Sequence, residues 1–249
     1  YEAALELVGS RIERVILSEG DGFLLRLSSL GSALGGQELV ILANPGNPSG
    51  QLIPTGDLLR LAEACETTGG VLVVDEAFID FVEEASLKRH LERFPRLCLL
   101  RSLTKFFALP GLRIGYALGA PGLLGRLRPW QEPWSVNTLA EAAGIAALED
   151  SAYQLSSRLL IPRWREALAT GLQKFEPVRV FPSAANYLLL KLLEPTLTAP
   201  RLREALLKER IAIRDCSSFL GLGPAHVRLA VRRPEENQTL LHALEALLG

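Results

Sequence analysis

The 249-residue sequence has no methionine, only three cysteines and three histidines, and a formal net charge of −1. The balanced charge gives no electrostatic case for binding nucleic acid or an acidic membrane. The cysteines are odd in number and widely spaced, so they match no metal-ligand pattern, and they fit a reducing compartment. The scattered histidines form no pair at metal-binding spacing and no triad with a serine, so we expect no metal site.

Long apolar runs are also missing. No run approaches the about 20 residues of a membrane span, and no secretory signal opens the sequence. The first residue is Tyr1 instead of a methionine, so we interpret the sequence as a fragment or a processed piece. With 48% hydrophobic and 22% charged residues, the composition is that of a globular protein with one large domain or two smaller ones.

Continuous apolar runs in the first half of the sequence predict strands buried on both faces of a sheet. These runs are 39–43, 71–74 and 97–100. Between the first two, Leu58, Leu61, Ala62 and Cys65 recur with helical spacing, and residues 87–94 predict a short helix before the third. This alternation predicts right-handed parallel crossovers in an open sheet, with ligands at the carboxyl ends of the strands.

The rest of the sequence predicts more strands and then a smaller unit. Additional strands are predicted at 11–17, 23–25 and 113–119, and helices at 137–150 and 153–175. The smaller α+β unit has predicted strands at 178–181, 187–191, 211–213 and 227–231, and predicted helices at 199–208 and from 234 onwards. We therefore expect a large domain over residues 1–150 and a small C-terminal domain over residues 151–249.

Lys105 lies in the segment that is chemically most informative. It follows the third apolar run, with hydroxyls at Ser102 and Thr104 and a guanidinium at Arg113. A lysine in this setting can be partly desolvated, which lowers the pKa of its amine and permits a Schiff base with a carbonyl cofactor. Arg113 and Ser102 suit a phosphate, one as a charged fork and the other as a hydroxyl donor. The alternative is a surface lysine beside a strand.

The pattern Ser-x-Thr-Lys, with Arg eight residues after the lysine, resembles the cofactor-lysine motif of fold-type I pyridoxal-phosphate enzymes. The longer string from Ser102 to Arg113 resembles, more narrowly, the threonine-phosphate decarboxylases of cobalamin synthesis, to which histidinol-phosphate aminotransferases are close. The resemblance implies an α/β fold with a mostly parallel central sheet and a smaller α+β C-terminal domain. It also implies pyridoxal 5′-phosphate bound at Lys105, a homodimer and a cytoplasmic location.

The same resemblance implies that about the first hundred residues of the family are absent from this sequence. In the family these residues carry an arm that covers the substrate, a glycine loop for the cofactor phosphate and an aromatic ring that stacks on the cofactor. We therefore expect the 249 residues alone to retain the lysine chemistry poorly or not at all, and the full-length protein to be active.

The resemblance assigns cofactor roles to further residues. Asp75 would hold the pyridine nitrogen protonated, although an aspartate after a parallel strand is also a common capping or turn residue. Asn47, in Asn-Pro-Gly-Asn-Pro, would donate to the 3-oxygen of the cofactor near the substrate, although asparagine also suits a turn for local reasons. Ser102, Thr104 and Arg113 would bind the cofactor. Phe78 stands where the aminotransferases typically have a tyrosine, which favours the decarboxylases.

Arg214 and Arg228 flank predicted strands of the smaller unit. Taken alone, they are most simply interpreted as solvated arginines at strand edges. By resemblance, both bind the anionic ends of the substrate, and two guanidinium forks suit a phosphate and a carboxylate. We interpret Arg232 and Arg233 as surface charges, Trp134 as an apolar anchor, and Glu83 with Glu84 as a solvated pair.

Three hypotheses for function follow. The first is decarboxylation of L-threonine O-3-phosphate to (R)-1-amino-2-propanol O-2-phosphate in cobalamin biosynthesis. The second is a histidinol-phosphate-type aminotransferase, which uses the same cofactor and lysine but breaks the Cα–H bond. The third is an inert folded fragment or binding lobe of either enzyme.

Overall fold

The computed structural model describes residues 1–28, 30, 36 and 38–248, and its first sheet has four strands. These are β1 (Leu39–Ala43), β2 (Val71–Asp75), β3 (Leu97–Ser102) and β4 (Gly115–Gly119), in that spatial order. β1, β2 and β3 are parallel, and β4 is antiparallel to β3. The predicted parallel strands are confirmed, and the carboxyl ends of β1, β2 and β3 meet along one edge.

Helix α2 (Thr55–Thr68), preceded by α1 (Glu2–Leu7), covers one face of this sheet. The predicted stripe of Leu58, Leu61, Ala62 and Cys65 is buried, and Gly69 ends α2 in the left-handed conformation. These side chains pack against Leu72, Val74, Leu97 and Leu99 of the strands. Burial of this apolar surface, at about 25 cal/mol per Å², stabilises the sheet edge that carries the polar residues.

The helices after β2 and β4 are partly as predicted. They are two 3₁₀ helices at Ile79–Ala85 and Leu87–His90, α3 (Pro121–Leu127), a third 3₁₀ helix at Arg128–Trp130, α4 (Thr138–Glu149) and α5 (Ser151–Leu172). The short helix predicted at 87–94 is therefore a single 3₁₀ turn. α5 continues through Pro162. No helix of the described residues is long and apolar enough to cross a membrane.

The second sheet is antiparallel and belongs to the smaller α+β unit. Its strands are β5 (Val178–Val180), β6 (Tyr187–Leu192), β7 (Arg214–Asp215) and β8 (His226–Ala230), in the order β5-β6-β8-β7. Helices α6 (Ala199–Lys208) and α7 (Pro234–Leu248) pack on it. The strand predicted at 211–213 is misplaced, because pairing with β8 begins only at Arg214. Ile211 and Ile213 pack against the core instead.

The strands predicted at 11–17 and 23–25 are wrong. The segments are irregular, although Val15, Leu17 and Leu25 pack against the core of the first sheet and Phe23 packs on Phe181 of the second. A strand needs a neighbouring strand to accept and donate its backbone hydrogen bonds, and the apolar pattern alone does not supply one.

Helix α5 contacts both sheets. Near its start, the Tyr153 hydroxyl donates to the carbonyl of Phe106 at 2.7 Å, and Arg158 Nε donates to the carbonyl of Asp80 at 2.9 Å. Near its end, Leu168 and Leu172 are buried in the core of the second sheet. The division into domains near residue 150 stays a prediction, and this helix packs on both sides of it.

Candidate active site

The polar residues predicted for the site follow strands β1, β2 and β3 at their carboxyl ends. The Asn-Pro loop follows β1, Asp75 ends β2, and Ser102 ends β3, three residues before Lys105. Asp75 lies opposite Ala43 on one side and Leu100 on the other. Parallel pairing therefore brings these segments, which are far apart in sequence, to one edge of the sheet.

Both carboxylate oxygens of Asp75 accept hydrogen bonds. Oδ1 accepts from the backbone N–H of Ala77 at 2.9 Å, and Oδ2 accepts from the hydroxyl of Tyr1 at 2.6 Å. Desolvation, the hydrogen bond and the negative charge of Asp75 together raise the pKa of the Tyr1 phenol. Sequence reasoning missed Tyr1, because no local pattern links it to a residue 74 positions away.

Lys105 is exposed, so the expectation of a desolvated amine is wrong for these 249 residues. Its Nζ lies 5.9 Å from the centroid of the Phe78 ring, which is itself edge-on to Tyr187 at 5.0 Å. Ala108 and Arg113, on the loop after the lysine, have φ angles of 53° and 52°. Such left-handed conformations cost energy in non-glycine residues and persist only where the surroundings hold them.

The residues predicted for a phosphate are brought together only in part. The hydroxyls of Ser102 and Thr104 are 2.7 Å apart, and Ser102 Oγ also accepts from the Thr104 N–H at 3.3 Å. The guanidinium of Arg113 is exposed and donates to the carbonyl of Pro110 at 3.3 Å.

Arg228 connects the second sheet to the Asn-Pro loop. Its Nη1 donates to Oδ1 of Asn47 at 2.5 Å, and its guanidinium carbon lies 4.9 Å from the centroid of the Tyr187 ring. The Tyr187 hydroxyl donates to the carbonyl of Gly46 at 2.7 Å, and burial raises the pKa of this phenol. These contacts contradict the interpretation of Arg228 as a solvated strand-edge charge.

Arg214 lies directly opposite Arg228 in the β7–β8 ladder. It is exposed, and its guanidinium carbon lies 5.5 Å from the centroid of the Phe219 ring. Side chains that face each other across an antiparallel pair project from the same face of the sheet. The two arginines therefore place two positive charges side by side, on the unit that contacts Asn47.

A buried group of charges, the Arg101 cluster (Arg101, Glu76, Asp80 and Glu83), was not foreseen. Arg101 Nη1 donates to Glu76 at 3.1 Å, and Nη2 donates to Asp80 at 2.8 Å and to Glu83 at 2.5 Å. Glu83 is therefore not a solvated partner of Glu84. Although desolvation opposes it, hydrogen bonds from Lys88 and Arg101 lower the pKa of Glu83, whereas desolvation raises the pKa values of Glu76 and Asp80.

The sequence profile of the aminotransferase class I and II family matches residues 1–244, and the chain belongs to this family. The chain is 38% identical to threonine-phosphate decarboxylase of Salmonella typhimurium, over 100% of its own length and 68% of that enzyme. It is also 37% identical to histidinol-phosphate aminotransferase of Methanothermobacter thermautotrophicus, over 84% of its own length and 55% of that enzyme.

Solved structures agree with the predicted fold. Histidinol-phosphate aminotransferase from Clostridium acetobutylicum superposes with a TM-score of 0.93 at 31% identity, covering 99% of this chain and 74% of that one. L-threonine-O-3-phosphate decarboxylase from Porphyromonas gingivalis superposes with a TM-score of 0.82 at 29% identity, covering 100% of this chain and 73% of that one. Histidinol-phosphate aminotransferase from Sinorhizobium meliloti, solved in complex with pyridoxal-5′-phosphate, superposes with a TM-score of 0.86 at 26% identity, covering 99% of this chain and 67% of that one. The fold-type I prediction is thus confirmed, with pyridoxal phosphate as the cofactor of the family.

The residues present fit this cofactor. Oδ2 of Asp75 already accepts from an O–H donor at 2.6 Å, and a protonated ring nitrogen would make the same kind of hydrogen bond. Lys105 offers an exposed primary amine, and Ser102 and Thr104 offer paired hydroxyls for a phosphate. The aldehyde, the ring nitrogen and the phosphate of the cofactor each have a chemically matched partner.

Proposed function

We propose that the protein decarboxylates L-threonine O-3-phosphate to (R)-1-amino-2-propanol O-2-phosphate, a step of cobalamin biosynthesis, with pyridoxal 5′-phosphate held at Lys105. The observation that carries the substrate assignment is the opposed pair Arg214 and Arg228, with Arg228 bonded to Asn47. The 38% identity to an enzyme named threonine-phosphate decarboxylase supports the same choice. A cytoplasmic location belongs to this proposal.

The substrate carries a phosphate and a carboxylate, and guanidinium groups bind both through paired hydrogen bonds. Like charges directly opposite each other in a sheet destabilise it, and a bound anion would relieve this repulsion. Asn47 and Tyr187 hold the Arg228 guanidinium in a fixed orientation, so less side-chain freedom is lost when the anion binds.

Within the proposal, Asp75 keeps a proton at the pyridine nitrogen, because its carboxylate is held by Ala77 and Tyr1 and accepts an N–H bond. Bound pyridoxal phosphate supplies an electron sink for the bond that breaks at Cα. Lys105 would anchor the cofactor until the amine of the substrate takes its place, and its freed Nζ would then donate a proton to Cα, in place of the carbon dioxide that leaves. The two arginines orient the substrate, so that the Cα–carboxylate bond is the one that breaks.

The second candidate is a histidinol-phosphate-type aminotransferase. The TM-score of 0.93 to such an enzyme and the 37% identity to another favour it. Its substrate also carries a phosphate that an arginine could bind. Phe78 favours the decarboxylase, because the aminotransferases typically have a tyrosine there, whose hydroxyl would donate to the 3-oxygen of the cofactor.

The deciding experiment measures carbon dioxide release from O-phosphothreonine, with and without 2-oxoglutarate, by the protein as its gene encodes it. We expect release without the keto acid, its loss in Lys105→Ala, and its retention in the control Lys208→Ala, whose side chain is exposed on α6. Amino transfer from histidinol phosphate to 2-oxoglutarate, without carbon dioxide release, would instead establish the aminotransferase.

We also infer a homodimer, and α4 carries this inference. The helix is apolar around most of its circumference, but only Ala140 and Gly144 are buried, while Leu139 is 75% exposed and Ile145 is 54% exposed. A helix that is apolar all round is normally covered. The neighbouring α5 adds Leu155, 72% exposed, which enlarges the apolar surface for a second copy of the chain.

A further inference from the structure

Glu76 and Arg101 form the centre of the Arg101 cluster and lie directly behind the candidate site. Glu76 is fully buried, and the side chain of Arg101 is 4% exposed. Besides Arg101, Glu76 accepts from the Ser86 hydroxyl at 2.7 Å and from the Leu87 N–H at 2.9 Å. The carboxylate therefore has a donor for both oxygens, as a buried charge requires.

Each member of this ion pair is the chain neighbour of a site residue. Glu76 follows Asp75 at the end of β2, and Arg101 precedes Ser102 at the end of β3. The N–H of Glu76 donates to the carbonyl of Leu100 at 2.8 Å, so the ladder between β2 and β3 continues to this point. Because successive side chains of a strand project to opposite faces, the ion pair lies on one face, and Asp75 and Ser102 project from the other.

The energetics of buried ion pairs indicate what this one does. Removing two charges from water is costly, and an apolar pair of similar size is often at least as stable, so stability alone does not explain the pair. A buried polar pair can instead specify one register, and a slip of one residue would move Asp75 and Ser102 to the wrong face.

We propose that Glu76 and Arg101 are positioning residues: their ion pair locks the carboxyl ends of β2 and β3, so that Asp75 and Ser102 face the cofactor. This inference rests on the proposed use of pyridoxal phosphate at Lys105. It concerns two side chains that touch neither cofactor nor substrate.

The test is a fluorescence titration of pyridoxal phosphate into Glu76→Gln, with the pH dependence of the absorbance of the bound cofactor as a second readout. Glu76→Gln keeps the shape and removes the charge. The matched control is Glu83→Gln, which removes another carboxylate partner of Arg101 but lies on the Ile79–Ala85 segment, away from Asp75. We expect Glu76→Gln to weaken binding about tenfold, the loss typical when a group that orients a ligand-binding residue is removed.

We also expect Glu76→Gln to shift the pH profile of the absorbance, because a displaced Asp75 holds the ring proton less firmly, while Glu83→Gln leaves both readouts at the parent's values. Arg101→Lys keeps the charge but lacks the fork that reaches Glu76 and Asp80 together, and it tests the same point if Glu76→Gln does not fold. A folded Glu76→Gln or Arg101→Lys with the parent's affinity and pH profile would overturn the positioning role.

The outcome can be separated from a failure of the proposed function. If the parent does not bind pyridoxal phosphate, or binds it equally well as Lys105→Ala, the cofactor assignment at Lys105 fails, and the positioning role fails with it. If the parent binds through Lys105 and a folded Glu76→Gln or Arg101→Lys keeps the parent's affinity and pH profile, only the positioning role fails.

Discussion

The hydroxyl of Tyr1 donates a hydrogen bond of 2.6 Å to Oδ2 of Asp75, the carboxylate that ends the second strand of the sheet. Together with the N–H of Ala77 on Oδ1, it restrains both oxygens of the group proposed to hold the cofactor ring. A carboxylate with donors on both oxygens has little freedom to rotate, which keeps it ready to accept a further N–H bond.

The first prediction concerns this contact. Tyr1→Phe removes the donor and keeps the ring, so we expect pyridoxal phosphate to bind about tenfold more weakly, because a hydrogen bond to a charged group contributes about 1.5–3 kcal/mol. The measurement is a fluorescence titration of the cofactor, and Tyr116→Phe, which loses a hydroxyl on β4, two strands away from β2, is the control. Tighter binding by Tyr1→Phe would mean that the phenol occupies the position of the cofactor's own donor.

A second prediction concerns the proposed substrate site. Arg228→Lys keeps the charge but loses the planar fork and the stacking on Tyr187, so we expect the KM for O-phosphothreonine to rise about 10- to 100-fold. Arg232→Lys is the matched control, since Arg232 is exposed and bonds Glu236 of its own helix region. Steady-state kinetics of both variants decide the point, and equal KM values would remove Arg228 from the substrate site.

Helix α6 allows a test of how its side chains pack in the core of the second sheet. Leu206 is fully buried, whereas its neighbour Leu207 is 44% exposed. Leu206→Ala should lower the free energy of unfolding by about 2–5 kcal/mol, because it leaves a cavity among packed side chains. Leu207→Ala should change it by only about 0.5 kcal/mol. Urea unfolding followed by circular dichroism measures both, and similar losses would show that α6 packs differently.

Stability should depend on pH through His226. Its ring is buried beside Phe181, with Nε2 3.8 Å from Glu19 Oε2. Burial lowers the pKa of His226, with the nearby charge of Lys191 acting in the same direction and Glu19 opposing. The folded state therefore favours the neutral ring. The contribution of the neutral His226 ring to the free energy of unfolding is fully present above about pH 6.5, the ordinary pKa of histidine. It is lost as the pH falls through the lower pKa of the folded state.

The matching variant is His226→Phe, which keeps an aromatic ring beside Phe181 but does not titrate. We expect the free energy of unfolding of the parent to decline between about pH 7 and pH 5, and that of His226→Phe to change less over the same range. His242→Phe is the control, because His242 is exposed on α7 and should keep the slope of the parent. Identical slopes for all three proteins would show that His226 titrates alike in the folded and unfolded states.

The apolar surface of α4 and α5 gives the last prediction. Leu139→Glu combined with Leu155→Glu places two charges on the proposed dimer interface, so we expect the dimer to dissociate into folded monomers at micromolar concentration. Leu220→Glu, at a residue 66% exposed on the smaller unit, should leave the dimer intact. Sedimentation velocity distinguishes the two results. A parent protein that sediments as a monomer would contradict the homodimer.

The central sheet could be predicted because its strands are buried on both faces. Such strands are continuously apolar, and the runs at 39–43, 71–74 and 97–100 therefore stand out from local sequence alone. The segments 11–17 and 23–25 also contain apolar residues, but no strand pairs with them among the residues that the structure describes, and pairing is decided by distant parts of the chain. The strand predicted at 211–213 was misplaced for the same reason, because the bounds of β7 depend on its pairing with β8, where Arg214 lies opposite Arg228.

The candidate site could be proposed from the sequence where a motif spans a few residues, and it was missed where contacts join residues far apart in the sequence. Lys105, Asp75 and Asn47 lie in short, specific motifs. Tyr1 meets Asp75 and Arg101 meets Glu76 only after the sheet has formed, across 74 and 25 positions. The exposure of Lys105 could not be read from its neighbours, since burial depends on which other segments cover it.

Helix α5 limits how this protein can be divided into portable parts. Asp150 caps its first turn by accepting from the N–H of Tyr153 at 2.9 Å, and Tyr153 in turn holds the carbonyl beside Lys105. A gene fusion or split reporter joined at residue 150 would thus separate Asp150 from the helix that it caps. It would also separate Tyr153 from the carbonyl of Phe106, which lies next to Lys105. Leu172, at the other end of the same helix, would leave a hole in the second core if the cut were moved beyond it. Because α5 contacts both sheets, neither sheet can be engineered as a separate part without it.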